Sequence, residues 1–184
     1  MEGDGWEKRI EMERKQKDLF FASHPQSPLA PQDRRAFPGL AYWPPNPEYR
    51  FELRLLEYYD KGAIEVADSG GQKRTLRQWG QFRFELGGQQ FALEAYKSDP
   101  IEERLFIPFR DETSGKESYG AGRYLDLELE RHLTEEGKWI VDFNEAYNPW
   151  CAYSEDYVCP FVPLKNRLEV PILAGEKQYP LKQR

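Results

Sequence analysis

Short segments of alternating apolar and polar residues, each closed by a turn, do most to limit what this chain can become. A period of two belongs to a strand with one buried face, and a slip of one residue would turn its whole apolar set to water. The sharpest case is Phe82, Phe84 and Leu86, then Gly87-Gly88, then Phe91, Leu93 and Ala95. Two glycines supply the positive φ of a two-residue hairpin turn. That turn sets Phe84 opposite Phe91 and Phe82 opposite Leu93, so one face is continuously apolar. Upstream, Phe51, Leu53 and Leu55 share one parity. A turn at Ser69-Gly70-Gly71 sets Ile64 opposite Leu76 and Val66 opposite Arg74. Further alternation at Leu105–Phe109, Leu125–Leu129, Trp139–Phe143 and Val170–Ile172 predicts more strands. The pattern predicts a mainly β domain over 49–184, an antiparallel barrel, with a sandwich or split barrel as alternatives.

Residues 1–48 read differently, as a helical arm and a proline-rich strap. A helix is predicted over 4–22, opened by an Asp4–Glu7 capping box and supported by Glu11–Lys15 and Glu13–Lys17 pairs. Its apolar residues sit at the two ends, and Glu13 to Asp18 is entirely polar. Such a helix docks at its ends or bridges to a partner, which allows a homo-oligomer formed through the arm. Residues 25–47 hold 7 of the 14 prolines, so they run extended, with one short helix over Pro31–Phe37. Phe37, Tyr42 and Trp43 are the expected points of adhesion. A second irregular stretch, 144–168, is rich in aromatic residues and too long for an ordinary connection.

Composition excludes several functions. Lys plus Arg is 26 against 32 for Asp plus Glu, and no basic run stands out, so a nucleic-acid partner is not expected. No apolar run is long enough for a membrane span, and no secretory signal is visible, so the expected location is cytoplasmic. Cys151 and Cys159 are then expected as reduced thiols, with no positive charge beside them in sequence to lower a thiol pKa. Two cysteines with only His24 and His132 have no zinc-ligand spacing, so no metal is expected.

No motif announces a reaction, and the cofactor is left unknown. Gly120-Ala121-Gly122 lacks the third glycine and following helix of a dinucleotide site, and reads as a turn or bulge. Ser114 lies in no nucleophile elbow, and His132 is expected beside an exposed turn. Arg123 is more informative, because alternation places it on the face of Leu125, Leu127 and Leu129. A guanidinium there needs an anion. It is either a buried ion pair with Asp111, Asp142 or Glu176, or an anion-binding group at the mouth of the domain. Aromatics from 144 onward read either as a lid packed on itself or as a pocket wall.

Phe109 to Gly115 followed by Tyr119 to Asp126, then Asp142-Phe143-Asn144-Glu145-Ala146-Tyr147-Asn148-Pro149-Trp150-Cys151-Ala152-Tyr153, then Asn166-Arg167-Leu168 with Ala174-Gly175-Glu176, occur in this order. This succession resembles the DUF1684 family of mainly prokaryotic proteins. The resemblance implies an identity and no chemistry. The expected function is a small-molecule binding domain for an anionic ligand, an enzyme not being excluded. Its site is expected between 111–124 and 142–159, drawing on Arg123, Asp111, Ser114, Asp142, Asn144, Tyr147, Asn148 and Tyr153. The alternatives are a protein-interaction module using the arm and strap, and, by analogy with split barrels alone, a flavin enzyme.

Overall fold

The computed structural model describes residues 3–179. A 21-residue helix, α1 (Gly3–Ser23), opens the chain, and a short helix α2 (Pro31–Arg34) follows in the strap. The side chain of Asp4, and with it the capping box, lies outside the described residues. Strands β1 (Arg50–Leu53), β2 (Leu56–Glu57), β3 (Ala63–Ala67), β4 (Lys73–Leu86), β5 (Gln89–Lys97), β6 (Leu105–Phe109) and β7 (Arg123–Leu127) come next. A one-turn helix α3 (Leu129–His132) and strand β8 (Trp139–Asp142) complete the regular elements, apart from short 3-10 turns.

All strand pairing is antiparallel, as alternation and tight turns demand. β4 is long enough to pair with β2, β3 and β5, and the sheet continues through β6 to β7. Phe84 pairs with Phe91, Phe82 with Leu93, Ile64 with Leu76 and Val66 with Arg74, in the registers read from the sequence. Gly87 and Gly88 both have positive φ, 60° and 79°, the conformation that lets two residues reverse the chain. β1 and β8 form a separate two-stranded sheet, with β1 beside β4 and β8 beside β7. Neither sheet closes on itself, so the architecture is two antiparallel sheets around a shared core.

The main core lies between these sheets and includes Phe82, Leu93, Ile107, Phe109, Val141 and Phe143, all fully buried. The other face of the large sheet carries a smaller cluster around Tyr96, Phe106 and Tyr124. A third cluster joins arm, strap and loop: Phe21 and Leu29 pack with Ala152 and Tyr153, and Phe37 stacks on Phe21.

Three sequence expectations are corrected where side chains override alternation. Strand β7 stops at Leu127 and Leu129 begins α3. β8 stops at Asp142, whose carboxylate accepts from the Asn144 amide and turns Phe143–Glu145 into a 3-10 helix. Val170–Ile172 forms no strand, because the Ile172 amide donates to Asp111 and its carbonyl accepts from Arg123. The polar middle of α1 also docks, rather than its ends alone. Glu13 reaches Arg9 and Arg131, and Lys17 pairs with Glu176 instead of Glu13. Among the described residues, no helix is long and apolar enough to cross a membrane.

Candidate functional site

A cleft of about 250 Å³ lies between the inner face of α1 and the ends of β7 and β8. Helix periodicity brings Ile10, Glu13, Arg14 and Lys17 to one side, three and four residues apart. Tyr42 of the strap, Asp126 of β7 with Glu128 after it, Arg131 and His132 of α3, and Asn144 to Tyr147 after β8 form the rest, with Glu176 from the tail.

The charges are not equivalent. Glu145 is held by Arg9 at 2.9 Å, by Arg131 at 3.2 Å and by His132 Nε2 at 3.0 Å. The Glu128 amide donates to His132 Nδ1, so the ring proton sits on Nε2 and points at Glu145. His132 is thus buried and fully engaged, although the turn that follows it is exposed as expected. Glu176 accepts from Lys17, from the Tyr153 hydroxyl and from the Asn148 amide. Arg14 differs. It donates to the carbonyls of Trp43 and Asn144 and lies 4.5 Å from the Tyr42 ring centre, but its Nε has no acceptor. Burial lowers its pKa, a sign that its charge is poorly compensated.

Two more buried polar atoms on this wall lack partners. The Tyr42 hydroxyl faces Glu176, and burial together with that carboxylate raises its pKa, but no acceptor meets full hydrogen-bond geometry. Asp126 uses Oδ2 for the Tyr147 hydroxyl at 2.6 Å, and its Oδ1 is unbonded. Burial raises the Asp126 pKa, opposed by Tyr147 and Arg104.

Glu145 makes the site acid-sensitive. Burial works against its charge, but the bond from His132, the Arg131 charge and the bond from Arg9 win, and its pKa falls from 4.5 to about 2. A depressed carboxyl pKa stabilises the fold above the unfolded value and loses that contribution as pH falls toward the folded one. Wild-type stability is therefore expected to drop between roughly pH 4.5 and 2 by up to about 3 kcal/mol from this group. In Glu145→Gln the same limb should flatten, as measured by urea titrations across that range.

Of the eight residues expected at the site, only Asn144 and Tyr147 line the cleft. Arg123 is fully buried. It meets Asp111 at 3.3 Å and donates to the carbonyls of Ile172, Ala174 and Glu176. Ser114 bonds Asp111 at 3.1 Å, within a closed network that includes Thr113 and Ser118. Asp142 holds Asn144 and accepts from the Trp6 indole at 2.6 Å. Arg123, Asp111, Asn148 and Tyr153 thus all bear on the tail that carries Glu176. Gly175 makes that tail possible: its φ is 77°, and a Cβ there would lie 2.6 Å from the Ala146 carbonyl.

Arg14, Lys17, Tyr42, Asp126, Arg131, His132 and Glu145 are not placed at the site by the sequence, in which Tyr42 reads only as an anchor of the strap and Lys17 only as a partner of Glu13. The usable signal was the all-polar stretch of a helix whose two ends are apolar. If both ends dock, the middle must face the domain too, and a polar middle then implies a polar site.

The two thiols lie outside this cleft. Both are free and half-buried. Cys159 is brought down to about 6, first by its hydrogen bond with Cys151, against burial, with help from the Arg74 charge. Cys151 moves up for the complementary reason. The positive charge absent nearby in sequence is supplied by Arg74 across the fold. Iodoacetamide at neutral pH is expected to label Cys159 about tenfold faster than Cys151, read by peptide mass spectrometry, and Arg74→Gln should narrow the gap.

The fold and cleft together define an antiparallel β domain with a polar recess roofed by its N-terminal helix. The chain belongs to the DUF1684 family, described as proteins of unknown function, whose profile matches residues 35–177. It is similar to an uncharacterised protein of Haloarcula marismortui solved by solution NMR, with 37% identity, 96% of each chain covered and a TM-score of 0.73. No curated protein matches the chain.

Proposed function

We propose that the chain binds a small anionic metabolite carrying at least one hydroxyl or amino donor, in the cleft under α1. The observation that supports this is the meeting of three unpartnered buried polar atoms on one wall: Arg14 Nε, the Tyr42 hydroxyl and Asp126 Oδ1. Folded proteins satisfy nearly all buried polar groups, so three exceptions around one recess describe the complement of a ligand. Arg14 would take the anionic group, because the carboxylates Glu13, Glu145 and Glu176 are already engaged by other cations. Tyr42 and Asp126 would take the donor, and Ile10 and Ala146 the carbon body.

The test is calorimetric titration with a panel of hydroxy acids, amino acids and sugar phosphates against wild type, Arg14→Met and Asp126→Asn. Some compound should bind wild type and lose about tenfold or more in affinity with each variant. Equal binding to Arg14→Met would remove the reading. The interaction-module alternative has less support, since Ile10 and Phe21 of α1 are buried against the chain's own domain.

A further inference from the structure

A second recess, of about 350 Å³, lies away from α1, where β4 and β5 pass under α3 and the start of β8. Leu55, Leu105, Leu129, Leu133 and Trp139 with Trp79 make its apolar side, and Glu57 and Glu103 stand at its edge. One cation opens into it. Lys97, the last residue of β5, is only 8% exposed. Among the described residues it has no hydrogen-bond acceptor and no carboxylate within ion-pair distance, its one polar contact being the Trp79 ring at 4.0 Å.

The backbone is shaped to produce this. Pairing of β4 with β5 runs through Gln78–Tyr96 and resumes at Gly80–Ala95, leaving Trp79 as an extra residue. Such a bulge redirects a side chain, and here it lays the indole over Lys97. Gly80 then gives β2 room, since a Cβ there would lie 2.7 Å from the Leu56 carbonyl. Lys61 contacts the same ring at 4.5 Å, but is already neutralised by Glu57 at 2.7 Å. Attraction to a ring does not neutralise an ammonium. Lys97 therefore lacks one negative charge.

We propose that this recess is a binding site for a small aliphatic monocarboxylate, whose carboxylate pairs with Lys97 and whose chain lies along the leucines and Trp139. A single unpaired ammonium opening into the recess matches a single negative charge. Glu57 and Glu103 at the exposed rim disfavour a second one, which argues against phosphate esters and dicarboxylates. This reading is independent of the cleft under α1.

The probe is octanoate, titrated into the full chain by calorimetry and by NMR of the tryptophan indole N–H groups, with octan-1-ol as the uncharged counterpart. Octanoate should bind and shift Trp79 and Trp139. Lys97→Met, which keeps the length and apolar stem, should weaken octanoate about tenfold or more while leaving octan-1-ol unchanged. Arg14→Met should leave octanoate binding intact. If Lys97→Met does not fold, Lys97→Gln serves in its place. Absence of octanoate binding, equal affinity in the Lys97 variants, or shifts confined to other tryptophans would each overturn the proposal.

Discussion

Arg123→Leu is expected to destabilise the chain by about 3–5 kcal/mol, a large share of a typical domain's margin. Removing this guanidinium leaves the Asp111 carboxylate buried without its counter-charge, and takes the donor from three carbonyls of the tail. Leucine restores apolar volume and none of those bonds. Urea denaturation measures the loss directly. Asp111→Asn should cost less, because its amide oxygen still accepts from Ile172 and the Arg123 guanidinium keeps its three carbonyl acceptors. A loss below about 1 kcal/mol in Arg123→Leu would mean the pair is not structural, against the usual cost of orphaning a buried charge.

The second large effect concerns Asn166, which is fully buried in the last turn of the aromatic loop. β5 and β6 share one registered pair, Tyr96 with Phe106, and their ladder then lapses. Asn166 fills the gap. Its Oδ1 accepts from the Glu94 amide at 2.7 Å, and its Nδ2 donates to the carbonyls of Glu94 and Pro108, both at 2.8 Å. One side-chain amide thus stands in for a missing stretch of strand pairing. Asn166→Ala strips partners from three backbone groups and should cost on the order of 3 kcal/mol or more. A more local reading comes from hydrogen exchange: the Glu94 amide should be protected in wild type and exchange rapidly in the variant. If Glu94 stays protected in Asn166→Ala, another acceptor has replaced the amide and the splice account is wrong.

These two residues also mark what a sequence can and cannot convey. Hairpins through Gly87-Gly88 and Ser69-Gly71 were legible because register is local: one turn and two parities determine each pairing. The strap's adhesion points were legible for a similar reason, since bulky aromatics among prolines have few places to go. Trp43 indeed lies over Arg123, and Tyr42 bridges to Glu176. Val170–Ile172 misled because alternation reports burial, and burial here is imposed by Arg123 and Asp111 rather than by a neighbouring strand. Arg123 was legible as a cation needing an anion, but not which anion, because Asp111 and Glu176 approach it only through the fold. The cleft was the least legible feature. It is assembled from the arm, the strap, β7 with α3, the segment after β8 and the tail, and no single window of sequence contains two of its orphaned atoms.

The way α1 is attached has a thermodynamic consequence for the recess below it. Among the described residues Ile10 and Phe21 are its only deeply buried apolar residues, while Arg9 and Glu13 fasten it through partly exposed ion pairs and Lys17 through one to the buried Glu176. Exposed pairs weaken as ionic strength rises, and apolar cores do not. Local opening of the helix should therefore need less free energy than unfolding the sheets, and the difference should widen with salt. Amide exchange along α1 would then accelerate in high salt while Phe82 and Leu93, in the middle of the large sheet, keep their protection. Access to the recess becomes an equilibrium of one helix lifting and settling, set by the solvent rather than by the stability of the whole molecule.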